Sequence, residues 1–237
     1  MLSGLKQPMK YKPLKFRILL CFWTGAWLVL LSGTTCPAYP RLPEKDLIET
    51  DCGDNGSTAV LVAYDTVHGS TAEVAAYIGE SLCNRGFKAA VRLAENVGDI
   101  RAYDAVIIGT AIYKFTWLEG AKNFLRRNRT ALGEKKTACF MLGAAMSTDT
   151  PETRAAVKKT FMDPVLSEFP EVTPLTLGLF GGEVDFSENS YNLFEWIVLK
   201  ILGLLLGYTD SADWRNWETI DAFIDEFAEK LDSAENP

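Results

Sequence analysis

A doubly wound α/β fold, five parallel strands wrapped by helices on both faces, is what this sequence predicts, and three observations predict it. From Thr58 onward, short apolar runs alternate with amphipathic stretches of helical period, the pattern of repeated β-α-β units. The third run, DAVIIGT at Asp104–Thr110, is apolar at consecutive positions, as a strand covered on both faces must be. The first run leads directly into a turn of Ser, Thr and Gly that opens a helix.

Taken in order, TAVLVAY (Thr58–Tyr64) is the first buried strand. Ser70–Arg85 is a helix with Ala72, Ala75, Ile78 and Leu82 on one face and Gly86 after its end. Ala89–Leu93 is the second strand and Asp104–Thr110 the third, central one. Trp117–Thr130 reads as a helix, with Leu118, Ala121, Phe124 and Leu125 inward and Arg126, Arg127 and Arg129 on a solvated face. TACFMLG (Thr137–Gly143) is the fourth strand. Glu152–Glu168 is helical, with Pro164 expected to break or end it. Thr173–Phe180 is the fifth strand. Trp214–Leu231 closes the domain as a helix, with Trp217, Ile220, Phe223, Ile224, Phe227 and Leu231 on its inward face.

The 237 residues suit one domain plus an extension, and a hydrophobic fraction of 48% is enough for a sizeable core. The net charge is −7 although every charge before Ile18 is basic, so the body is more acidic still. An acidic body argues against a nucleic-acid partner, which needs a basic face. With one histidine and no CxxC spacing, no zinc site is expected. Cys36 and Cys52 could pair in an exported chain, or remain free thiols; Cys83 and Cys139 fall on core-facing positions and read as small buried hydrophobes.

Ahead of the domain, ILLCFWTGAWLVLLS (Ile18–Ser32) follows the basic KYKPLKFR, the layout of a signal peptide or a signal anchor. An anchor, a cleaved signal and neither all stay open. Thr34 and Thr35 are poor residues to precede a lipidated Cys36. Basic residues before the run and acidic ones after it predict a globular domain on the outer, non-cytoplasmic side of a membrane. The expected organisation is a basic, apolar segment over 1–35, a Pro-, Gly- and acid-rich tether over 36–57, the domain over 58–232 and a short tail over 233–237.

The most informative stretch is Tyr64-Asp65-Thr66-Val67-His68-Gly69-Ser70-Thr71. Free amides at a helix start, the positive end of the helix dipole, Gly69 for a tight turn and the hydroxyls of Thr66, Ser70 and Thr71 together make a cradle for a phosphate dianion. The loop is neither GxxxxGK[ST] nor GxGxxG. The competing structural reading is a helix capped by Ser70 or Thr71 with Glu73 in a capping box. His68 could donate to the phosphate or lie in solvent; proton transfer is the weakest of its readings.

YDTVHGST after an apolar strand, and the order of elements around it, resemble the flavodoxin family and its phosphate loop. Three further stretches resemble menaquinone-dependent protoporphyrinogen IX dehydrogenase and its flavodoxin-domain relatives: YDAVIIGTAIYKFTW, NFLRRNRTAL and YNLFEWIVLKILGLLLGYTDSADWRNWETIDAFIDEFA. The resemblance runs from Ala59 to Leu231. It implies a flavodoxin-like sheet of order 2-1-3-4-5, FMN as the cofactor, and binding by three loops at the carboxyl ends of the first, third and fourth strands. The first contributes Thr66, Val67, His68, Gly69, Ser70 and Thr71 to the phosphate. The second, Thr110, Ala111, Ile112, Tyr113, Lys114 and Trp117, and the third, Leu142, Gly143, Ala144 and Ala145, are implied to hold the isoalloxazine ring. Tyr113 and Trp117 can stack on a flat ring or be ordinary core or rim aromatics.

Asn192–Leu206 contains LFEWIVLKILGLLL, too apolar for a solvated helix and too short to span a bilayer. A core or lid helix, a helix lying in the membrane surface and a homo-oligomer contact remain open. Two functions compete: an FMN oxidoreductase passing electrons to a quinone, with protoporphyrinogen IX as a candidate donor, and a membrane-tethered electron carrier. A third is a domain that has lost its flavin and serves as a binding module. No catalytic acid or base stands out.

Overall fold

The computed structural model describes residues 47–53, 58–184 and 211–235, all within one unit of the chain, Arg41–Pro237. Five parallel strands form its centre: β2 (Ala59–Asp65), β3 (Lys88–Leu93), β4 (Ala105–Tyr113), β6 (Lys136–Leu142) and β7 (Pro174–Phe180). They lie in the order β3-β2-β4-β6-β7, which is 2-1-3-4-5 among the parallel strands, as expected.

The consecutive apolar residues of these strands divide between two cores because side chains alternate across a sheet. Val60, Val62 and Tyr64 of β2, Ile107 of β4 and Phe140 of β6 face α1 (Ser70–Asn84) and the last helix, α5 (Trp217–Glu235). Leu61, Ala63, Ile108, Cys139 and Met141 face α2 (Glu119–Leu132) and the segment Pro151–Glu168. Phe140 sits at the centre of the first core. A Cβ at Gly109 on one neighbouring strand would lie 2.1 Å from its ring, and one at Gly178 on the other would lie 2.8 Å from its Cβ. Phe140 fills the space that a side chain at Gly109 would need, and the Phe180 ring together with Phe140 fills that at Gly178.

Four elements differ from the sequence expectation. Residues Thr50–Cys52, read as tether, form strand β1, antiparallel to the outer edge of β3 through Thr50↔Val91, Asp51↔Ala90 and Cys52↔Ala89. Trp117 does not open a helix: Thr116–Trp117 is strand β5, which folds back on β4, and α2 begins at Glu119. Pro164 does not end its helix, but the regular α-helix is interrupted just ahead of it. α3 (Pro151–Val157) passes through a π turn at Lys158–Met162 into α4 (Asp163–Glu168), so Pro164 stands in a first turn, where its missing amide costs nothing. α5 begins at Trp217, whose ring is 38% exposed and packs edge-on against Tyr77 instead of entering the core. A short ribbon of β8 (Glu183–Val184) and β9 (Ala212–Asp213) precedes α5.

Of the two readings of Cys52, pairing with Cys36 or a free thiol, neither is realised: Cys52 is bonded to Cys83 in α1, so Cys83 is half of a bridge and not the small buried hydrophobe expected, while Cys139 is free and buried in the second core, as anticipated. Cys36, the apolar run at 18–32 and the Asn192–Leu206 segment lie outside the described residues.

Candidate functional site

Three loops leave the carboxyl ends of β2, β4 and β6 side by side. The register fixes this: Asp65 is paired with Thr110, and Ala111 with Leu142. This is where an open α/β sheet binds its ligand.

The first loop is wound tightly. Thr66 Oγ1 accepts from the Gly69 amide at 3.0 Å, and Gly69 itself has φ 93°, a left-handed conformation that a side chain resists. Gly69 is the N-cap of α1 and offers no side-chain bond. The capping box is therefore not formed: Glu73 instead reaches Arg215 at 2.6 Å. The first amides of α1 have no carbonyl ahead of them in the helix. Beside them Thr71 is fully buried, and its Oγ1 has no partner among the described residues. A buried hydroxyl left unpaired costs about 1–3 kcal/mol. An anion seated on the helix start would remove that cost and meet the helix dipole, so the residues present fit a phosphate group. Val67 is buried and serves the loop's packing.

The second loop is a hairpin. β4 runs on to Tyr113, turns at Lys114 and Phe115, and returns with Tyr113 opposite Thr116 and Ile112 opposite Trp117. Both turn residues are left-handed, φ 50° and 65°, the hand a two-residue hairpin requires. Neither is Gly, Asn or Asp, so the turn carries strain of about 1–2 kcal/mol per residue. Its tip presents Phe115, 79% exposed. The Tyr113 ring lies 6.0 Å from the His68 ring, edge to face, so the first and second loops touch; Lys114 Nζ lies 5.3 Å from the Tyr113 centroid.

Thr110 is buried and holds the hairpin to α2, accepting from the Leu118 amide at 3.2 Å. Trp117 is 1% exposed within the second core, so of its two readings the core one is realised, and it cannot stack on a ring from this position. Ala111, Ile112 and Tyr113 are half-buried, and Lys114 joins Phe115 in standing exposed at the tip.

In the third loop Leu142 belongs to the first core. The Gly143 amide donates to Phe180 at 3.2 Å, and Ala144–Met146 make a single 3₁₀ turn that leaves Ala144 and Ala145 exposed at the rim. A cavity of about 20 Å³ behind it, bordered by Met146, Leu179, Trp214 and Thr219, is the size of a water molecule and holds nothing larger.

Asp65, at the junction of β2 and the first loop, was not among the expected site residues. Its half-buried carboxylate accepts from the Ala121 amide at 3.0 Å and so caps α2, whose own N-cap residue, Leu118, has no polar side chain. Burial pushes this carboxyl above its usual range, against the pull of the α2 amides, and Glu95 adds to the rise. A folded-state value above the unfolded one makes the ionised form a liability. Stability is greatest below the unfolded pKa and declines as pH rises through the folded one. Asp65→Asn keeps an acceptor for Ala121 and is expected to stabilise the domain at pH 7. The gain should vanish by about pH 3, below the unfolded value of about 3.9. Urea melts of both proteins at the two pH values would measure this, and an Asn variant that is less stable at pH 7 would refute it.

On the far side of α1, Arg215 is almost fully enclosed and pairs with Asp213 at 2.8 Å, Glu73 at 2.6 Å and Glu183 at 3.2 Å. It ties the start of α1 to the β8–β9 ribbon. Asp213 above all, then Glu73, hold its guanidinium well above the usual range, although burial opposes this. Among the described residues, no group of His, Cys, Asp and Glu could hold a metal ion, and no helix is long and apolar enough to cross a membrane.

Residues 61–210 match the family model of the flavodoxin domain. No curated protein matches the chain. Among solved structures the chain is similar to a flavodoxin from the domain Archaea, at 19% identity over 61% of this chain and 94% of that one, with a TM-score of 0.35. It is similar to a Streptococcus pneumonia TIGR4 flavodoxin at 16% identity over 75% and 99%, TM-score 0.42. It is also similar to the apo form of an NADH:FMN oxidoreductase at 18% identity over 53% and 75%, TM-score 0.40.

Proposed function

The chain belongs to the flavodoxin domain family, and from that premise we propose that it binds FMN across the three loops and works as an oxidoreductase that delivers electrons to a quinone. The observation that carries the cofactor assignment is Thr71, whose enclosed hydroxyl beside the amides of a helix start lacks any other acceptor among the described residues. In this reading Thr71, Ser70 and the loop amides hold the phosphate. Tyr113 and the backbone of Gly143–Ala145 flank the ring, and Trp117 supports the hairpin from behind. The bound flavin supplies one- and two-electron transfer, and the protein orients it and sets its potential.

Protoporphyrinogen IX as donor and a menaquinone as acceptor rest on the resemblance of YDAVIIGTAIYKFTW and of the Tyr191–Ala228 stretch. The apolar run at 18–32 would hold the domain to a membrane, on its outer side. The apolar sequence of 192–206 is of the kind that a contact with the lipid carrying the quinone would call for. A second reading, a tethered carrier exchanging electrons with proteins, draws on Phe115, an exposed aromatic beside the ring site of the kind protein partners bury.

One purification tests both levels. The full chain is expected to be yellow, to show flavin absorption bands and to release FMN on denaturation. Anaerobic turnover of protoporphyrinogen IX with a menaquinone analogue would support the enzyme. Bound FMN with no turnover, but rapid exchange with a redox protein, would favour the carrier. A colourless protein that takes up no added FMN would overturn both.

A further inference from the structure

We propose that the Cys52–Cys83 disulfide is a permanent structural bond, made as the chain enters an oxidising compartment, that clamps the segment leading into the domain onto the helix that begins at the phosphate loop. The inference stands apart from the FMN reading and survives its failure. It rests first on placement. The two Cα atoms are 6.0 Å apart, within the span a disulfide bridges, although 31 positions separate them in the chain. Cys52 ends β1 and Cys83 lies in the last turn of α1.

It rests next on need. β1 is three residues long, and short strands at a sheet edge do not hold by pairing alone. The segment's other ties are few: Leu47 and Ile48 pack half-buried against the first core, the Ile48 amide donates to the Tyr64 hydroxyl at 2.9 Å, and at the surface Asp51 pairs with Arg92 at 2.6 Å while Glu49 accepts from the Asn96 side chain at 3.0 Å. Exposed ion pairs of this kind contribute little. The disulfide ties the end of β1 covalently to the last turn of α1, and it restricts the unfolded chain through its loop.

It rests finally on contrast. Cys139, the other described cysteine, is sealed in the second core, where burial pushes its thiol up to about 12, so it neither pairs nor reacts. A bridge of this type does not persist where glutathione and thioredoxin keep thiols reduced. It agrees with the basic-then-apolar layout of residues 10–32, that of a signal peptide or signal anchor.

The chemistry is a thiol–disulfide exchange. A thiolate of one cysteine attacks the disulfide of an oxidised dithiol partner and gives a mixed disulfide. The second cysteine then displaces the partner. Cys52 and Cys83 together lose two electrons and two protons, and the partner leaves as a dithiol.

The test uses the full chain in the cells that make it. Cells are quenched in acid and alkylated without reductant, and the peptides are mapped by mass. Cys52 and Cys83 are expected in one cross-linked species that separates only on reduction. In the purified protein, reductant is expected to lower Tm by about 5–15 °C. It should also remove hydrogen-exchange protection from those amides of Ala89–Val91 that face β1, while leaving Ile107 and Ile108 protected. The Cys52→Ser/Cys83→Ser variant should melt at the lower temperature with or without reductant. Should that variant fail to fold, the wild-type comparison with and without reductant still decides. Both cysteines alkylated in quenched cells, or a Tm indifferent to reductant, would overturn the proposal.

Discussion

Replacing Thr71 with valine is expected to weaken FMN binding by about tenfold to a hundredfold while leaving the cofactor-free domain as stable as before, or more so. Valine has the shape of threonine, so the buried volume at this 0%-exposed position is kept. What is lost is one hydroxyl donor to a charged oxygen, an interaction of about 1.5–3 kcal/mol. Each 1.4 kcal/mol is about a tenfold change in affinity. In the cofactor-free state the same hydroxyl is an unpaired buried group, so its removal relieves a cost. Opposite signs on affinity and on apo stability are a pairing that damage to packing cannot mimic. Flavin-fluorescence titration and thermal melts of the cofactor-free protein read the two quantities. Unaltered affinity would mean that the phosphate lies elsewhere.

Phe140→Ala carries the largest expected loss of stability, about 3–5 kcal/mol in urea unfolding with little change in the m-value. Phe140 is fully buried, and its ring meets Phe180 and Phe223 at centroid distances of 6.0 and 6.2 Å, joining the sheet to α5. On the two neighbouring strands Gly109 and Gly178 have no side chains to move into the space, which leaves Phe180 and Phe223 to fill it. Where they do not, the cost of an open cavity adds to the lost burial. A measured loss under about 1 kcal/mol would show that Phe180 and Phe223 repack freely, and that this core is less fixed than its geometry implies.

The five parallel strands were legible in the sequence because each is buried on both faces and therefore apolar along its length. The phosphate loop was legible because Gly69 and its flanking hydroxyls stand where a strand becomes a helix. What was not legible depends on partners distant in the chain. TDC at 50–52 has no apolar alternation, and it becomes a strand only because β3 offers an edge. The pairing of Cys52 with Cys83 follows from that docking, so Cys36 was the nearer but mistaken partner. Trp117 is apolar in a helix or in a hairpin, and the Lys114–Phe115 turn lacks the glycine or asparagine that announces one. Asp65 gave one faint signal, a carboxylate directly ahead of a Ser/Thr loop. Its role as the cap of α2 becomes visible only once β2 and β4 are neighbours.

The antiparallel seat of Thr50–Cys52 has a result for how copies of this protein meet. The backbone groups that Ala89–Val91 turn away from β2 are already occupied within the molecule. A second chain finds no free template there, so β3 cannot seed sheet-to-sheet dimers or fibril growth while that short strand stays in place.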